Sequence, residues 1–251
     1  MSNNRINGDT ITYRNGKKKN DDKKIRPFTF EELTVGRRSI TALTDGQQDY
    51  IDTIDRSVVT LCAGVAGTGK TYIATAKAIE MYRKGLVKKI LFSRPNVTCG
   101  KGLGFLPGEL NDKFYPFIRP FQDALADFMG ETEVEKLREQ GTLEFLPPDY
   151  LNGSTFKDTI MLLDEAQNAE EGQLNMFLTR IGKNSRLIMT GNPSMCDLDP
   201  RKGQAYRDLL QYMNSPPYID GLEIATLGVK DVVRSGMTQK IVEKLAKRYG
   251  E

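Results

Sequence analysis

The sequence predicts an α/β fold in which a mostly parallel sheet carries helices on both faces. Short runs of apolar and β-branched residues, typical of buried strands, alternate with longer segments whose apolar residues recur at helical spacing. This alternation is typical of right-handed βαβ units. Ligands bind at the carboxyl ends of the strands in such a sheet, so functional residues are expected just after the predicted strands.

In the first half of the chain, two predicted strands are separated by a glycine loop and a helix. The proposed elements are a helix at 44–55 capped by Thr44 or Asp45, a strand at 57–63, a helix at 70–84, a strand at 88–93 and a long ordered glycine loop at 94–108. Helices near 109–129 and 131–139 follow. We expect Pro116 and Pro120 to interrupt them, because proline removes a helical hydrogen bond.

The second half continues the alternation and shows no internal repeat or interdomain linker. Its predicted strands and helices lie at 142–147, 159–165, 170–182, 185–191, 203–213, 222–227 and 237–249. We therefore expect one domain over residues 27–251, preceded by a disordered basic tail at 1–26. The tail holds eight basic and three acidic side chains, so it accounts for the positive net charge of the whole chain. It is either a solvated leader or an electrostatic arm for nucleic acid.

Composition excludes several classes of chemistry. The chain has no histidine, which removes imidazole acid/base catalysis and most zinc sites. Its three cysteines (Cys62, Cys99 and Cys196) are far apart and odd in number, which predicts a reducing, cytoplasmic environment. No apolar run is long enough to cross a bilayer, and the polar N-terminus predicts no secretory signal.

The stretch "GVAGTGKT" at 64–71 matches the phosphate-loop pattern G-x-x-x-x-G-K-[ST] at every fixed position. The backbone amides of such a loop, together with the helix N-terminus behind it, bind phosphate oxygens. Lys70 is expected to reach the β- and γ-phosphates, and the Thr71 hydroxyl to ligate Mg²⁺. The predicted cofactors are therefore ATP and Mg²⁺, and the nucleotide-binding residues are Gly64, Val65, Ala66, Gly67, Thr68, Gly69, Lys70, Thr71 and Tyr72.

Two acids end the predicted strand in "IMLLDEAQN" at 160–168. Asp164 is expected to hold the Mg²⁺ shell together with Thr71. Glu165 is the best candidate to orient and deprotonate an attacking water, since no histidine is present. A second acid here favours hydrolysis over phosphoryl transfer to a small molecule, so a P-loop kinase is disfavoured.

Three further polar residues have both a functional and a plain structural interpretation. Gln47 could contact the adenine edge, or it could be an exposed helix glutamine. Arg234 could supply positive charge to the transferred phosphoryl group, or it could be a surface residue. Asn192, in "TGNPSMCDL" at 190–198, stands where many nucleotide-driven proteins place a sensor of the γ-phosphate, or it could be an ordinary strand end.

Several stretches together resemble the PhoH family of phosphate-starvation-inducible P-loop ATPases of bacteria and phages. They are "GQQDY" (46–50), "GVAGTGKT" (64–71), "SRPNVTCGKGLGFLPGEL" (93–110), "PFIRPFQDAL" (116–125), "LLDEAQN" (162–168) and "DVVR" (231–234). The resemblance covers about residues 40–249. It implies a RecA-like P-loop NTPase core, ATP hydrolysis and assembly into a homo-oligomeric, hexameric ring.

The same resemblance implies roles for individual residues. Gln47 becomes an adenine reader, Arg94 a conformational or nucleic-acid-facing residue, and Arg234 a finger acting on a neighbouring subunit's ATP. The chain departs from the family pattern "TGD-x-x-Q-x-DL" at Asn192 and Met195, and a histidine common in the family is replaced by Ser235. The first two replacements predict a sensor with reduced polar coupling.

Two hypotheses remain at the level of sequence. The first is a helicase-like ATPase motor on single-stranded RNA or DNA, with Arg94 and Lys101 near the strand. Phe105 and Tyr115 are its candidate stacking residues, although buried packing is the favoured interpretation of each. The second is an ATP-gated assembly switch or scaffold with slow turnover. The replacements at Asn192 and Met195 favour the switch.

Overall fold

The computed structural model describes residues 40–95, 110–151, 153, 155–195 and 204–234 and five positions between 236 and 244, with the side chains of 110–117 left out. The helices are α1 (Asp45–Arg56), α2 (Lys70–Arg83), α3 (Leu110–Met129), α4 (Glu131–Glu139), α5 (Glu171–Thr179) and α6 (Ala205–Met213). The strands are β1 (Val59–Gly64), β2 (Lys89–Ser93), β3 (Leu143–Phe145), β4 (Thr159–Leu163), β5 (Arg186–Gly191) and β6 (Leu222–Leu227). Short 3₁₀ turns lie at Pro148–Leu151, Ala166–Asn168 and Val229–Asp231.

The six strands form one parallel sheet in the order β3-β2-β4-β5-β1-β6. Strand β5 therefore lies between β1, which leads into the glycine loop, and β4, which leads into the two acids. Alternating side chains of β1 point to opposite faces, with Cys62 in one core and Leu61 and Ala63 in the other. Helices α1 to α4 cover the first face, while α5 and α6 cover the second. The predicted fold class, a RecA-like P-loop core, is confirmed.

Helix α3 corrects one prediction, because it runs without a break through Pro116 and Pro120. Proline in a helix costs about 3 kcal/mol. Here Pro120 is exposed, whereas Ile118, Phe121 and Phe128 of the same helix are buried, with the Phe121 ring 4.5 Å from Phe92 of β2 and the Phe128 ring 4.9 Å from Tyr72 of α2. Burial of each such side chain is worth about 1.5–3 kcal/mol, so packing outweighs the lost hydrogen bonds.

The remaining boundaries fall within a few residues of the predicted ones, and Thr44 is the N-cap of α1 through its bond from the Gln47 amide. The predicted terminal helix at 237–249 falls mostly outside the described residues, although the positions described there are helical. The tail at 1–26 and most of the loop at 94–108 also lie outside them. Among the described helices, none is long and apolar enough to cross a bilayer.

Candidate nucleotide site

The glycine loop joins β1 to α2 and is shaped by close contacts that only glycine allows. Gly67 and Gly69 both have φ of +84°, in the left-handed region that side chains rarely adopt, and Gly69 is the N-cap of α2. At Gly64, a Cβ atom would lie 2.8 Å from the Leu227 carbonyl oxygen of β6. The loop is thus pressed against its neighbouring strand, with the N-terminus of α2 directly behind it.

Side chains inside the loop support its shape. The Thr68 hydroxyl is buried and donates to the Val65 carbonyl at 2.9 Å. The Lys70 ammonium donates to the carbonyls of Gly64 and Val65, at 2.8 and 2.9 Å. Ala66 is exposed at the tip. Lys70 therefore places a positive charge within the curve of the loop, where phosphate groups are expected.

Asp164 accepts two hydroxyl hydrogen bonds on one oxygen. The Thr71 hydroxyl donates to its Oδ1 at 2.8 Å, which brings together the two residues predicted to hold Mg²⁺. The Thr190 hydroxyl, at the end of β5, donates to the same Oδ1 at 2.5 Å. Thr190 was not among the predicted site residues. The sequence feature that could have indicated Thr190 is a hydroxyl residue at the carboxyl end of β5, the strand next to the one that ends before Asp164.

Glu165 has an unusual backbone conformation for its residue type. Its φ of 52° and ψ of 43° lie in the left-handed region, which costs a non-glycine residue about 1–2 kcal/mol. Such strain is concentrated at functional sites. The conformation starts the turn Ala166–Asn168 at once, and the Glu165 carboxylate lies between Arg94, whose guanidinium is 3.2 Å away, and Gln167.

Gln167 links this carboxylate to the loop after β5. Its amide nitrogen donates to Oε2 of Glu165, and its amide oxygen accepts from the backbone N–H of Asn192 at 2.9 Å. A Cβ atom at Gly191 would lie 2.7 Å from that amide oxygen and 2.9 Å from Cε1 of the buried Tyr206 ring, so a larger residue there would displace one of them. Sequence reasoning missed Gln167, which is the direct connection between the candidate base and the candidate sensor.

Asn192 has one hydrogen-bonding group without a partner. Its side-chain oxygen accepts from the Ser194 N–H at 3.0 Å, which fixes the orientation of the amide. The Nδ2 group is buried and has no partner in the described part of the chain. A buried, unpaired donor at the carboxyl end of β5 suits a ligand oxygen. Met195 is 46% exposed and offers only its thioether.

Gln47 lies against the phosphate loop. It is 4% exposed, and its amide nitrogen donates to the Thr68 carbonyl at 3.0 Å. Its amide oxygen accepts from the Leu43 N–H at 2.8 Å. The interpretation as an exposed helix residue is therefore wrong, while its contact with adenine stays a prediction. Tyr72 packs its ring on Phe128 of α3 at 4.9 Å, and its predicted nucleotide contact likewise stays a prediction.

Arg234 lies beside the loop of its own chain. A Cβ atom at Gly67 would lie 3.1 Å from Arg234 Cγ and 3.3 Å from its Nε, and the neighbouring Val233 N–H donates to the Gly67 carbonyl at 3.1 Å. Two predicted nucleic-acid contacts, Lys101 and Phe105, fall outside the described residues. The side chain of Tyr115 does so as well, as does Ser235.

The donor groups present suit Mg²⁺ and a nucleotide. Mg²⁺ prefers hard oxygen ligands and keeps several waters beside one or two protein oxygens, so a hydroxyl and a carboxylate are a sufficient protein share. The described residues contain no group of three or more His, Cys, Asp or Glu that could hold a metal ion by themselves. Thr71 and Asp164 would hold Mg²⁺, while the loop amides and the orphan Asn192 donor fit phosphate oxygens.

The parallel sheet, with a glycine phosphate loop and two acids at its carboxyl edge, defines a P-loop NTPase core. The family model described as "PhoH-like protein" matches residues 39–246, and the chain belongs to that family. It is 40% identical over 233 residues to the PhoH-like protein of Bacillus subtilis (strain 168), covering 92% of this chain and 72% of that one.

Other curated relatives are matched over a smaller share of their length. The PhoH-like protein of Mycobacterium tuberculosis (strain H37Rv) is 39% identical over 224 residues, covering 89% of this chain and 62% of that one. Protein PhoH of Escherichia coli (strain K12) is 36% identical over 203 residues, covering 80% of this chain and 56% of that one. This chain thus spans less than two thirds of each of these two relatives.

Solved structures align with the chain only in part. The large terminase of a thermophilic bacteriophage, in complex with ADP, has a TM-score of 0.45 at 13% identity, covering 78% of this chain and 48% of that one. The Pif1 helicase of Candida albicans has a TM-score of 0.44 at 13% identity, covering 84% of this chain and 44% of that one. Such alignments do not bear on the reaction.

Proposed function

We propose that this chain binds ATP with Mg²⁺ at the phosphate loop and hydrolyses it. The observation that carries the proposal is the contact between Thr71 and Asp164 at the mouth of the loop, with Glu165 next in sequence. Lys70 would bind the β- and γ-phosphates, and Arg234 would supply further positive charge. Mg²⁺, when bound, would neutralise phosphate charge. The family and the loop pattern support the same reaction.

Glu165 is the residue proposed to orient the attacking water and take its proton. It is an acid at the carboxyl edge of the sheet, and its side chain is 37% exposed, so water has access to it. Two neighbours hold its carboxylate, the guanidinium of Arg94 and the amide of Gln167. Arg94 competes with water for that carboxylate. A movement of Arg94 would therefore free Glu165 for catalysis.

This arrangement supports a role for single-stranded nucleic acid as the stimulus of hydrolysis. Arg94 belongs to the stretch 93–110, which carries the most specific part of the family resemblance. Binding of RNA or DNA phosphates to Arg94 would pull its guanidinium away from Glu165. We therefore propose a cytoplasmic, ring-forming motor, helicase-like in its action and connected with phosphate starvation as the family resemblance implies.

A second candidate function is an ATP-gated switch or scaffold with slow turnover. It is favoured by the loop after β5, where Asn192 offers a neutral donor and the exposed Met195 side chain is a poor hydrogen-bonding group. In the switch, nucleotide binding would control assembly without driving movement along a strand.

Phosphate release from ATP with and without single-stranded RNA and DNA separates the two functions. The motor requires hydrolysis that nucleic acid stimulates and that Glu165→Gln abolishes. The switch requires slow hydrolysis that nucleic acid leaves unchanged, together with a change of oligomeric state on ATP binding, measured by light scattering. Absence of turnover under every condition would contradict the motor. Glu171→Gln, at the start of α5, is a matched control for loss of a carboxylate.

A further inference from the structure

The side chain of Arg234 lies on the phosphate loop of the chain to which it belongs. The distances to a Cβ atom at Gly67 place both its Cγ and its Nε directly above that residue. The side chain is exposed, and within the described residues its guanidinium has no carboxylate partner. Arg94, by contrast, is paired with Glu165. Among the described residues, Arg234 is thus a positive charge without a carboxylate partner, and the aliphatic part of its side chain lies against the loop.

The segment that carries Arg234 is attached to the fold at two points. The first is Asp231, which is 1% exposed. Its Oδ1 accepts from the Thr44 hydroxyl at 2.7 Å, and its Oδ2 accepts from the Gly228 N–H at 2.9 Å. A Cβ atom at Gly46 would lie 2.5 Å from the same carboxylate. Asp231 is therefore enclosed at the N-terminus of α1, where a negative charge is favoured.

The second attachment is the backbone of Val233, whose N–H donates to the Gly67 carbonyl at 3.1 Å. The two attachments lie on either side of Val232, which is itself buried. They restrict the backbone direction at Arg234, the residue that follows. Arg234 consequently starts beside its own loop, and its Cγ and Nε lie over Gly67.

We propose that Arg234 serves the nucleotide bound to its own chain, and that Asp231 is the residue that positions it. The inference rests on the proposed nucleotide site and departs from the resemblance, which implies a finger acting across a subunit boundary. An arginine held beside the loop adds a positive charge that can bind the γ-phosphate, which ATP has and ADP lacks. It should therefore discriminate ATP from ADP within a single subunit.

Binding of ATPγS and ADP, measured by calorimetry in the presence of Mg²⁺, tests the charge itself. Arg234→Ala should weaken ATPγS binding by about tenfold and ADP binding by less than about twofold, and Arg234→Lys should restore part of the difference. Lys230→Ala removes an exposed cation from the same segment and should change neither affinity. Equal loss for both nucleotides, or no loss, would overturn the role of Arg234.

Mixed subunits decide which chain Arg234 serves. Arg234→Ala protein is mixed with excess Lys70→Ala protein, which binds nucleotide poorly but still carries Arg234. If the residue acts within its own chain, the mixture shows no recovery of ATPγS affinity or of hydrolysis, and a monomeric protein gives the same result. Recovery in the mixture would overturn the proposal. Because binding is measured separately, a wild-type protein that binds ATPγS without hydrolysing ATP would refute the proposed reaction and leave this test intact.

Asp231→Asn tests the positioning role. It should reduce the preference for ATPγS over ADP by about threefold or more while Lys70-dependent ADP binding stays near wild type. Should that variant fail to fold, Thr44→Val removes the hydrogen bond from the Thr44 hydroxyl to Oδ1 of Asp231, together with the N-cap bond from the Gln47 amide, and Thr44→Ser is the control that keeps the hydroxyl and both bonds. A wild-type preference in a folded variant lacking this bond would overturn the role of Asp231.

Discussion

Thr190→Val should destabilise the protein through the carboxylate of Asp164. Both groups are buried, with Thr190 at 2% and Asp164 at 4% exposure, and the bond between them is 2.5 Å long. A hydrogen bond to a charged group contributes about 1.5–3 kcal/mol. Thr71 still donates to the same oxygen, so we expect the lower value, about 1.5 kcal/mol of unfolding free energy. For a domain of this size that corresponds to a fall in Tm of about 3–6 °C.

The double variant Thr71→Val/Thr190→Val gives the sharper test, because it leaves Oδ1 of Asp164 without either donor. Its loss of unfolding free energy should exceed the sum of the two single losses by about 1 kcal/mol or more. Urea unfolding at neutral pH without nucleotide measures the unfolding free energy of both single variants and of the double variant. Thr190→Ser is the control that retains the hydroxyl. A Thr190→Val protein within about 0.5 kcal/mol of wild type, or strictly additive losses, would refute this reasoning.

Three substitutions and one labelling experiment have defined outcomes. Arg94→Met should raise basal ATP hydrolysis and remove its stimulation by nucleic acid, because Glu165 loses its competing partner; a wild-type stimulation ratio would contradict this. Gln167→Ala should lower kcat by about tenfold with little change in KM for ATP, and an unchanged kcat would count against the link to Glu165. Met195→Gln should increase the stimulation of turnover by nucleic acid, whereas unchanged stimulation would show that the family pattern does not govern this loop. Burial raises the pKa of the Cys62 thiol to about 12, so the thiol stays protonated at neutral pH and iodoacetamide should label it only after unfolding in urea; rapid labelling at Cys62 itself in the native protein, located by peptide mapping, would contradict its burial.

The elements of the sheet could be predicted because their sequence patterns are local. The run from residue 57 to 63 is apolar and β-branched, and the glycine loop follows it directly. The pairing of Thr71 with Asp164 could also be predicted, since both belong to motifs with a known common ligand. Each of these inferences needs only a short window of sequence.

The contacts that could not be predicted depend on how distant elements are placed. Thr190 reaches Asp164, and Gln167 reaches Asn192, only because β5 lies beside β4 in the sheet. The direction of Arg234 depends on the buried carboxylate of Asp231. That carboxylate is hydrogen-bonded to Thr44, which is far away in the sequence. The course of α3 through Pro120 depends on the apolar face that it buries. Local propensity carries no information on any of these contacts.

Phosphate release from ATP by wild-type protein and by Glu165→Gln, at saturating ATP and Mg²⁺, tests the assignment of the hydrolytic site most directly. Nucleotide binding measured on the same samples ensures that the comparison concerns the reaction alone. We expect Glu165→Gln to bind ATP as wild type does and to release phosphate at least about 10²-fold more slowly. Equal rates of phosphate release by the two proteins would contradict the role of Glu165 and, with it, the proposed site.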